Sequence, residues 1–260
     1  MHRLGLVGAG AASTGPFLAT LVHYADDVKA AAPANAAAAT GTSQHQWVMV
    51  MDLRNCDGCG RCTLSCQAAH SLAPDQTWIK VYQMTSATGE KYFMPRACMQ
   101  CEDAPCMRVC PVGATFRAKD GVVLIDQNRC IGCRMCMAAC PYEARYFNWS
   151  EPRTPIKRMP IPTSPEFPVP QQKGTVGKCT LCSDRLPHGQ LPHCVEDCPM
   201  GALYIGDLVT DVAMNGLGKA VKLSQFLADN DAVRFKDDLN THPRVYYIVG
   251  HGQNLLEPQT

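Results

Sequence analysis

The feature that most constrains this 260-residue sequence is where its sixteen cysteines lie. All of them fall between Cys56 and Cys198, in four blocks of four. The first block is Cys56, Cys59, Cys62 and Cys66, and the second is Cys98, Cys101, Cys106 and Cys110, followed by Pro111. The third is Cys130, Cys133, Cys136 and Cys140 with Pro141, and the fourth is Cys179, Cys182, Cys194 and Cys198 with Pro199. A chain with this pattern must fold around whatever its thiols bind. Secreted disulfide scaffolds are usually much shorter, and many cysteine pairs here are only three residues apart, so disulfide bonding is the poorer reading.

Blocks one and three space three cysteines as C-x-x-C-x-x-C. A tight loop with that spacing turns three sulfurs inward onto one face of an iron–sulfur cube, with its backbone N–H groups facing the cluster sulfide. The fourth cysteine of each block lies too far along the chain to join them. In two-cluster ferredoxins that residue serves the other cluster, so such motifs come in pairs. Four blocks therefore imply two ferredoxin-like pairs and four 4Fe-4S clusters, with all sixteen cysteines as iron ligands. Gly58, Gly60 and Gly132 suit the close backbone approach this requires. Structural zinc also favours C-x-x-C pairs, but its sites usually join two short knuckles, and here three blocks end in Cys-Pro. A zinc-stabilised interaction protein is the alternative from another class.

Along the chain, residues 47–52 and 122–126 read as short strands feeding the first and third blocks, and residues 144–149 and 202–206 as strands following the cysteine loops. Strand, ligand loop and short helix thus recur as an internal repeat. Residues 151–170 hold seven prolines and are expected to form an extended connection. Residues 217–227 have helical apolar spacing, and residues 244–249 fit a last strand or a docking arm. Three segments result: a signal-like or anchor segment at 1–45, a four-cluster core at 46–207, and a C-terminal docking extension at 208–260.

Residues 4–25 contain no Asp, Glu, Lys or Arg and follow Arg3, and an Ala-rich stretch succeeds them at 30–39. A twin-arginine type of export signal, with Ala34-Asn35-Ala36 near its cleavage site, is the preferred reading. A retained anchor and an Ala-rich tail are the alternatives, since Arg3 is a single arginine and Asp26-Asp27 interrupts the segment.

The net charge of +1 gives no broad signature for nucleic acid. No nucleophile–base pair and no phosphate-binding glycine loop stands out, so no catalytic residue is assigned and the chemistry is electron transfer. His70, His188 and His193 are read as surface or outer groups, because sixteen thiolates already satisfy four cubanes. Arg134, Lys178 and Arg185 either raise cluster potentials or are solvated or paired with Asp184 and Glu143. Tyr146, Phe147 and Trp149 are read as core packing.

Residues 98–115 (CMQCEDAPCMRVCPVGAT), 130–149 (CIGCRMCMAACPYEARYFNW) and 178–185 (KCTLCSDR), with NTHPRVYYI at 240–248, carry a resemblance. They resemble the four-cluster subunits of the polysulfide, dimethyl sulfoxide, tetrathionate and nitrate reductase group of complex iron–sulfur molybdoenzymes, from about residue 46 to about residue 250. The resemblance implies an α+β fold of two interleaved ferredoxin-like modules, the first block pairing with the fourth and the second with the third. The clusters would then be held by Cys56, Cys59, Cys62 and Cys198; by Cys179, Cys182, Cys194 and Cys66; by Cys130, Cys133, Cys136 and Cys110; and by Cys98, Cys101, Cys106 and Cys140. Spacing alone does not choose these partners.

The resemblance also implies a relay between an integral membrane quinone-interacting subunit and a molybdopterin catalytic subunit. No small-molecule substrate of its own is expected, and the location is the extracytoplasmic, periplasmic face of the cytoplasmic membrane. The same type of wire in a hydrogenase, formate dehydrogenase or quinone-reducing cytochrome complex is the nearer alternative.

Overall fold

The structure is a computed structural model, and it describes residues 45–151 and 164–250. The segment through residue 44 that is expected to be signal-like or an anchor, much of the proline-rich stretch and the last ten residues lie outside the described residues.

The apolar run WVMVMD forms strand β1 (Trp47–Asp52), buried on both faces. Successive side chains of a strand point to opposite faces, and β1 uses both. Met49, Met51 and, just beyond the strand, Leu53 enter the main core with the cysteine loops, whereas Val48 and Val50 pack with Tyr204, Ala213, Leu223 and Ile248 on the other side. Truncating a fully buried residue such as Met51 would cost roughly 2–5 kcal/mol.

β1 lies inside a six-stranded sheet that also contains β8 (Leu203–Asp207), β9 (Val212–Asn215), β10 (Ala220–Lys222), β11 (Val233–Arg234) and β12 (Val245–Ile248), in the order β10-β9-β8-β1-β12-β11. β8 runs antiparallel to β1, pairing Met49 with Ile205, and β12 runs parallel to it, pairing Met49 with Val245. Residues 244–249 thus supply an interior strand, and of the two sequence readings the strand is the one observed.

Helix α1 (Arg61–Ala69) carries Cys62 and Cys66. The remaining cysteine loops contain single-turn helices: α2 (Pro105–Arg108) with Cys106, α3 (Met135–Ala138) with Cys136, and α4 (His193–Glu196) with Cys194. Three antiparallel pairs brace the loops: β2 (Lys80–Thr85) with β3 (Lys91–Arg96), β4 (Thr115–Arg117) with β5 (Val123–Ile125), and β6 (Tyr146–Phe147) with β7 (Val176–Gly177). Helix α1 packs on α4, and α2 packs on α3.

The internal repeat is also visible as a turn. The N–H of Gly113, Glu143 and Gly201 each donates to the carbonyl of the cysteine three residues before it (Cys110, Cys140, Cys198) at 3.2–3.3 Å. All three residues have positive φ, at 60°, 53° and 58°. Proline opens each of these turns, and the chain then enters β4, β6 or β8.

The expected helix over residues 217–227 is a correction. Residues 220–222 belong to β10, and helix α5 spans only Leu223–Asp229. Asn215, 2% exposed, accepts from the N–H groups of Leu217 and Lys219 at 3.1 and 2.9 Å, and Gly218 sits at φ 78°. The local side-chain bonds close a hairpin where apolar spacing alone suggests a helix.

Candidate metal centres

The cysteine loops get their shape from left-handed backbone. Gly58 (φ 79°) and Gly132 (φ 69°) occupy equivalent positions in blocks one and three, as do Gly60 (φ 70°) and Arg134 (φ 63°). At Gly132 a Cβ would lie 2.2 Å from the carbonyl oxygen of Gly174, so the close approach requires glycine. Backbone N–H groups turn toward sulfur: Leu181 donates to Cys179 Sγ at 3.4 Å, and the N–H groups of Gly58, Arg61 and Thr63 face the sulfurs of Cys56, Cys59 and Cys62.

None of the sixteen cysteines is in a disulfide, and their thiols lie in four neighbourhoods. Burial raises the Cys56 thiol to about 11 and the Cys62 thiol to about 12, and Cys198 adds to both shifts. Cys66 is pushed well above the thiol range by burial and then by Cys179, Cys182 and Cys194. Burial pushes Cys101 up to about 12, with Cys98, Cys106 and Cys140 contributing. Cys110, Cys130, Cys133 and Cys136 line one cavity of about 310 Å³, partly open to solvent.

Neighbourhoods also act on one another electrostatically. Cys62 acts on both Cys66 and Cys194, Cys98 acts on Cys179, and Cys106 acts on Cys136. Each of the four groups therefore acts on the next in succession. At each end a cysteine is exposed, Cys59 in the first group and Cys133 in the last.

These residues fit iron–sulfur clusters. Crowded dry thiols resist ionisation, and metal binding compensates by taking the place of the protons. Tetrahedral zinc needs its sulfurs about 2.3 Å from a single point. Among the described residues no three Cys, His, Asp or Glu side chains converge on a single ion. A cubane instead places each thiolate on its own iron.

The same residue pattern is found in other proteins. Residues 90–155 and 166–208 match the family described as the 4Fe-4S dicluster domain, which spans blocks two, three and four. A selenate reductase subunit of Mesobacillus selenatarsenatis is 38% identical over 218 residues, covering 78% of this chain and 72% of that protein. The chain belongs to the 4Fe-4S dicluster family. A tetrathionate reductase subunit of Salmonella typhimurium is 33% identical over 254 residues, covering 95% of this chain and 86% of that protein. The menaquinone reductase iron–sulfur cluster-binding subunit of Nitratidesulfovibrio vulgaris is 33% identical over 250 residues, covering 82% of this chain and 94% of that protein.

Around the 4Fe-4S loops, some side chains fit the sequence reading and others depart from it. His70 is close to a thiol: its Nε2 lies 3.4 Å from Cys182 Sγ and its ring packs on Trp78. Burial, with His193 and Arg185 adding, lowers its pKa to about 3, so it is neutral. His188 is exposed. Arg185 pairs with Glu196 at 2.8 Å and with the His193 ring, not with Asp184 or Glu143. Lys178 is buried and donates to the Cys179 carbonyl at 2.8 Å. Trp149 is 65% exposed rather than core. It lies beyond the end of β6, with its ring against Phe147 and the Arg134 guanidinium 4.9 Å from its centroid, a cation–π contact that serves an exposed ring.

Sequence reading missed Arg145, which is 4% exposed among Cys98, Cys106, Cys136 and Cys140. The signal was present in the repeat. The position five residues beyond the last cysteine of blocks two, three and four carries Thr115, Arg145 and Leu203.

Proposed function

We propose that the chain is an electron-transfer subunit holding four 4Fe-4S clusters in a row, with no substrate chemistry of its own. The ligand sets are Cys56, Cys59, Cys62 with Cys198; Cys66 with Cys179, Cys182, Cys194; Cys98, Cys101, Cys106 with Cys140; and Cys110 with Cys130, Cys133, Cys136. The observation that carries this reading is the end-to-end succession of thiol groups, linked through Cys62 and Cys66, Cys98 and Cys179, and Cys106 and Cys136. Such a row supplies one-electron steps, and the protein's part is to hold the thiolates, exclude water and set the surrounding charge.

In this reading the outer blocks and the inner blocks form two interleaved ferredoxin-like modules at residues 46–207, and the strands beyond 207 help dock partners. Contacts of α1 with α4 and of α2 with α3 support the pairing. One end of the row faces a molybdopterin catalytic subunit and the other an integral membrane subunit that exchanges electrons with quinone. The selenate and tetrathionate reductase relatives, each named as a subunit, support a place in a multi-subunit reductase. The menaquinone reductase relative supports a second reading, the same wire in a quinone-reducing complex.

Among the described residues no helix is long and apolar enough to cross a membrane, and attachment through a membrane partner on the extracytoplasmic face is the proposed arrangement. Purification with neighbouring subunits identifies the complex. In the intact assembly a quinol analogue should reduce all four clusters and the terminal oxidant should reoxidise them. Clusters that stay oxidised while the assembly turns over would refute the relay. Protease added to intact spheroplasts should cleave the subunit, and protection would put it on the cytoplasmic side.

A further inference from the structure

Arg145 is among the few charged side chains buried in the core, at 4% exposure. Its Nη1 donates to Thr115 Oγ1 at 3.2 Å, and its Nη2 has no hydrogen-bond partner. Thr115, its partner, lines the cavity that holds Cys110, Cys130, Cys133 and Cys136, and the thiols that act on the guanidinium belong to two of the proposed ligand sets: Cys98, Cys106 and Cys140 to one, Cys136 to the next. A guanidinium cannot shed its proton under physiological conditions, so this charge is fixed and is little screened by water. The other end of the repeat differs. Leu203, the residue equivalent to Arg145 after the fourth block, is 1% exposed and apolar.

We propose that Arg145 is a positioning residue for electron transfer, a fixed cation shared by the two clusters of the inner blocks that raises both of their reduction potentials above the values their ligands alone would give. A positive charge in a dry site stabilises the reduced, more negative state of a neighbouring cluster. The free Nη2 is a donor available to cluster sulfide or cysteine sulfur, as the Thr115 bond holds the opposite side of the fork. Leu203 at the equivalent position after the fourth block supplies no such charge, and the buried cation beside the outer sets is Lys178, next to Cys179.

The inference rests on the cluster assignment, and the test separates the two. Anaerobic redox titration followed by paramagnetic resonance, with iron content in parallel, is carried out on the assembled subunit carrying Arg145→Met and Arg145→Lys. In Arg145→Met the reduction constants of two centres should fall at least tenfold, about 59 mV for a one-electron couple, while the other two stay unchanged. Arg145→Lys should restore most of that shift. If Arg145→Met fails to load and Arg145→Lys loads with potentials near wild type, the requirement for charge is upheld. Fully loaded Arg145→Met with four unchanged potentials would overturn the proposal, as would iron loss in both variants, which marks a packing role. Absence of iron–sulfur signals in the wild type would instead defeat the cluster assignment itself.

Discussion

Gly132 and Gly60 offer a controlled pair for testing how loop shape serves cluster binding. Both have left-handed backbone, φ 69° and 70°, so alanine at either carries the same penalty, about 1–2 kcal/mol. At Gly60 a Cβ meets nothing within 4 Å, and the equivalent Arg134 already tolerates φ 63°. At Gly132 the new Cβ would sit 2.2 Å from the Gly174 carbonyl oxygen. Ordinary contact requires a retreat of roughly 1 Å. Gly174 is not free to move, since its N–H donates to Asn148 at 2.8 Å and Asn148 in turn donates to Thr175 at 2.9 Å. Overpacking of this kind adds about 1–3 kcal/mol, for a total of about 2–5 kcal/mol. The displacement falls on the loop that carries Cys130, Cys133 and Cys136. Thermal loss of visible cluster absorbance under anaerobic conditions should shift by a few degrees in Gly60→Ala, with full iron content. In Gly132→Ala the shift should be about twice as large or more, with iron missing from one cluster. Equal behaviour of the two variants would refute the steric argument.

Asp207, 3% exposed, accepts from the N–H groups of Gln46 and Val209, from the Thr210 hydroxyl and from the His45 ring. Burial pushes its carboxyl up, but these donors outweigh it and hold it below the usual carboxylate value. Asp207→Asn should cost about 1–3 kcal/mol in anaerobic denaturant unfolding at neutral pH. A depressed folded pKa stabilises above the unfolded value, about 3.9, so the gap between the two proteins should be constant from pH 8 to about 5 and close only as pH falls further; closure near pH 6 would contradict it. Asn215→Ala removes the bonds to Gly201, Leu217 and Lys219 and should cost about 1–3 kcal/mol, with a loss below about 0.5 kcal/mol counting against the hairpin account. Cys66→Ser and Cys179→Ser should perturb one paramagnetic centre, and Cys56→Ser and Cys198→Ser another. A common lesion for Cys56→Ser and Cys66→Ser would mean that each block binds its own cluster.

What was legible in the sequence followed from strong local rules. The C-x-x-C-x-x-C loops, the Cys-Pro turns and the doubly buried WVMVMD strand each carry their cause within a few residues. Partner choice between blocks was not legible from spacing, because Cys56 and Cys198 are brought near one another only by the pairing of β1 with β8 and of α1 with α4. The Asn215 hairpin was hidden by apolar residues with helical spacing, which cannot report a side chain that closes its own turn. Trp149 reads as core in the sequence because aromatic residues usually are, whereas its cover is the Arg134 guanidinium from the loop of block three. Arg145 carries no local signal, because only the fold brings thiols of two blocks near it.

The central claim is that all sixteen thiols hold four cubanes, and quantitative iron and acid-labile sulfide analysis of anaerobically purified protein tests it most directly. Four complete sets give about 16 iron and about 16 sulfide per chain, with no zinc. A plateau near half those values, or zinc in place of labile sulfide, would contradict it.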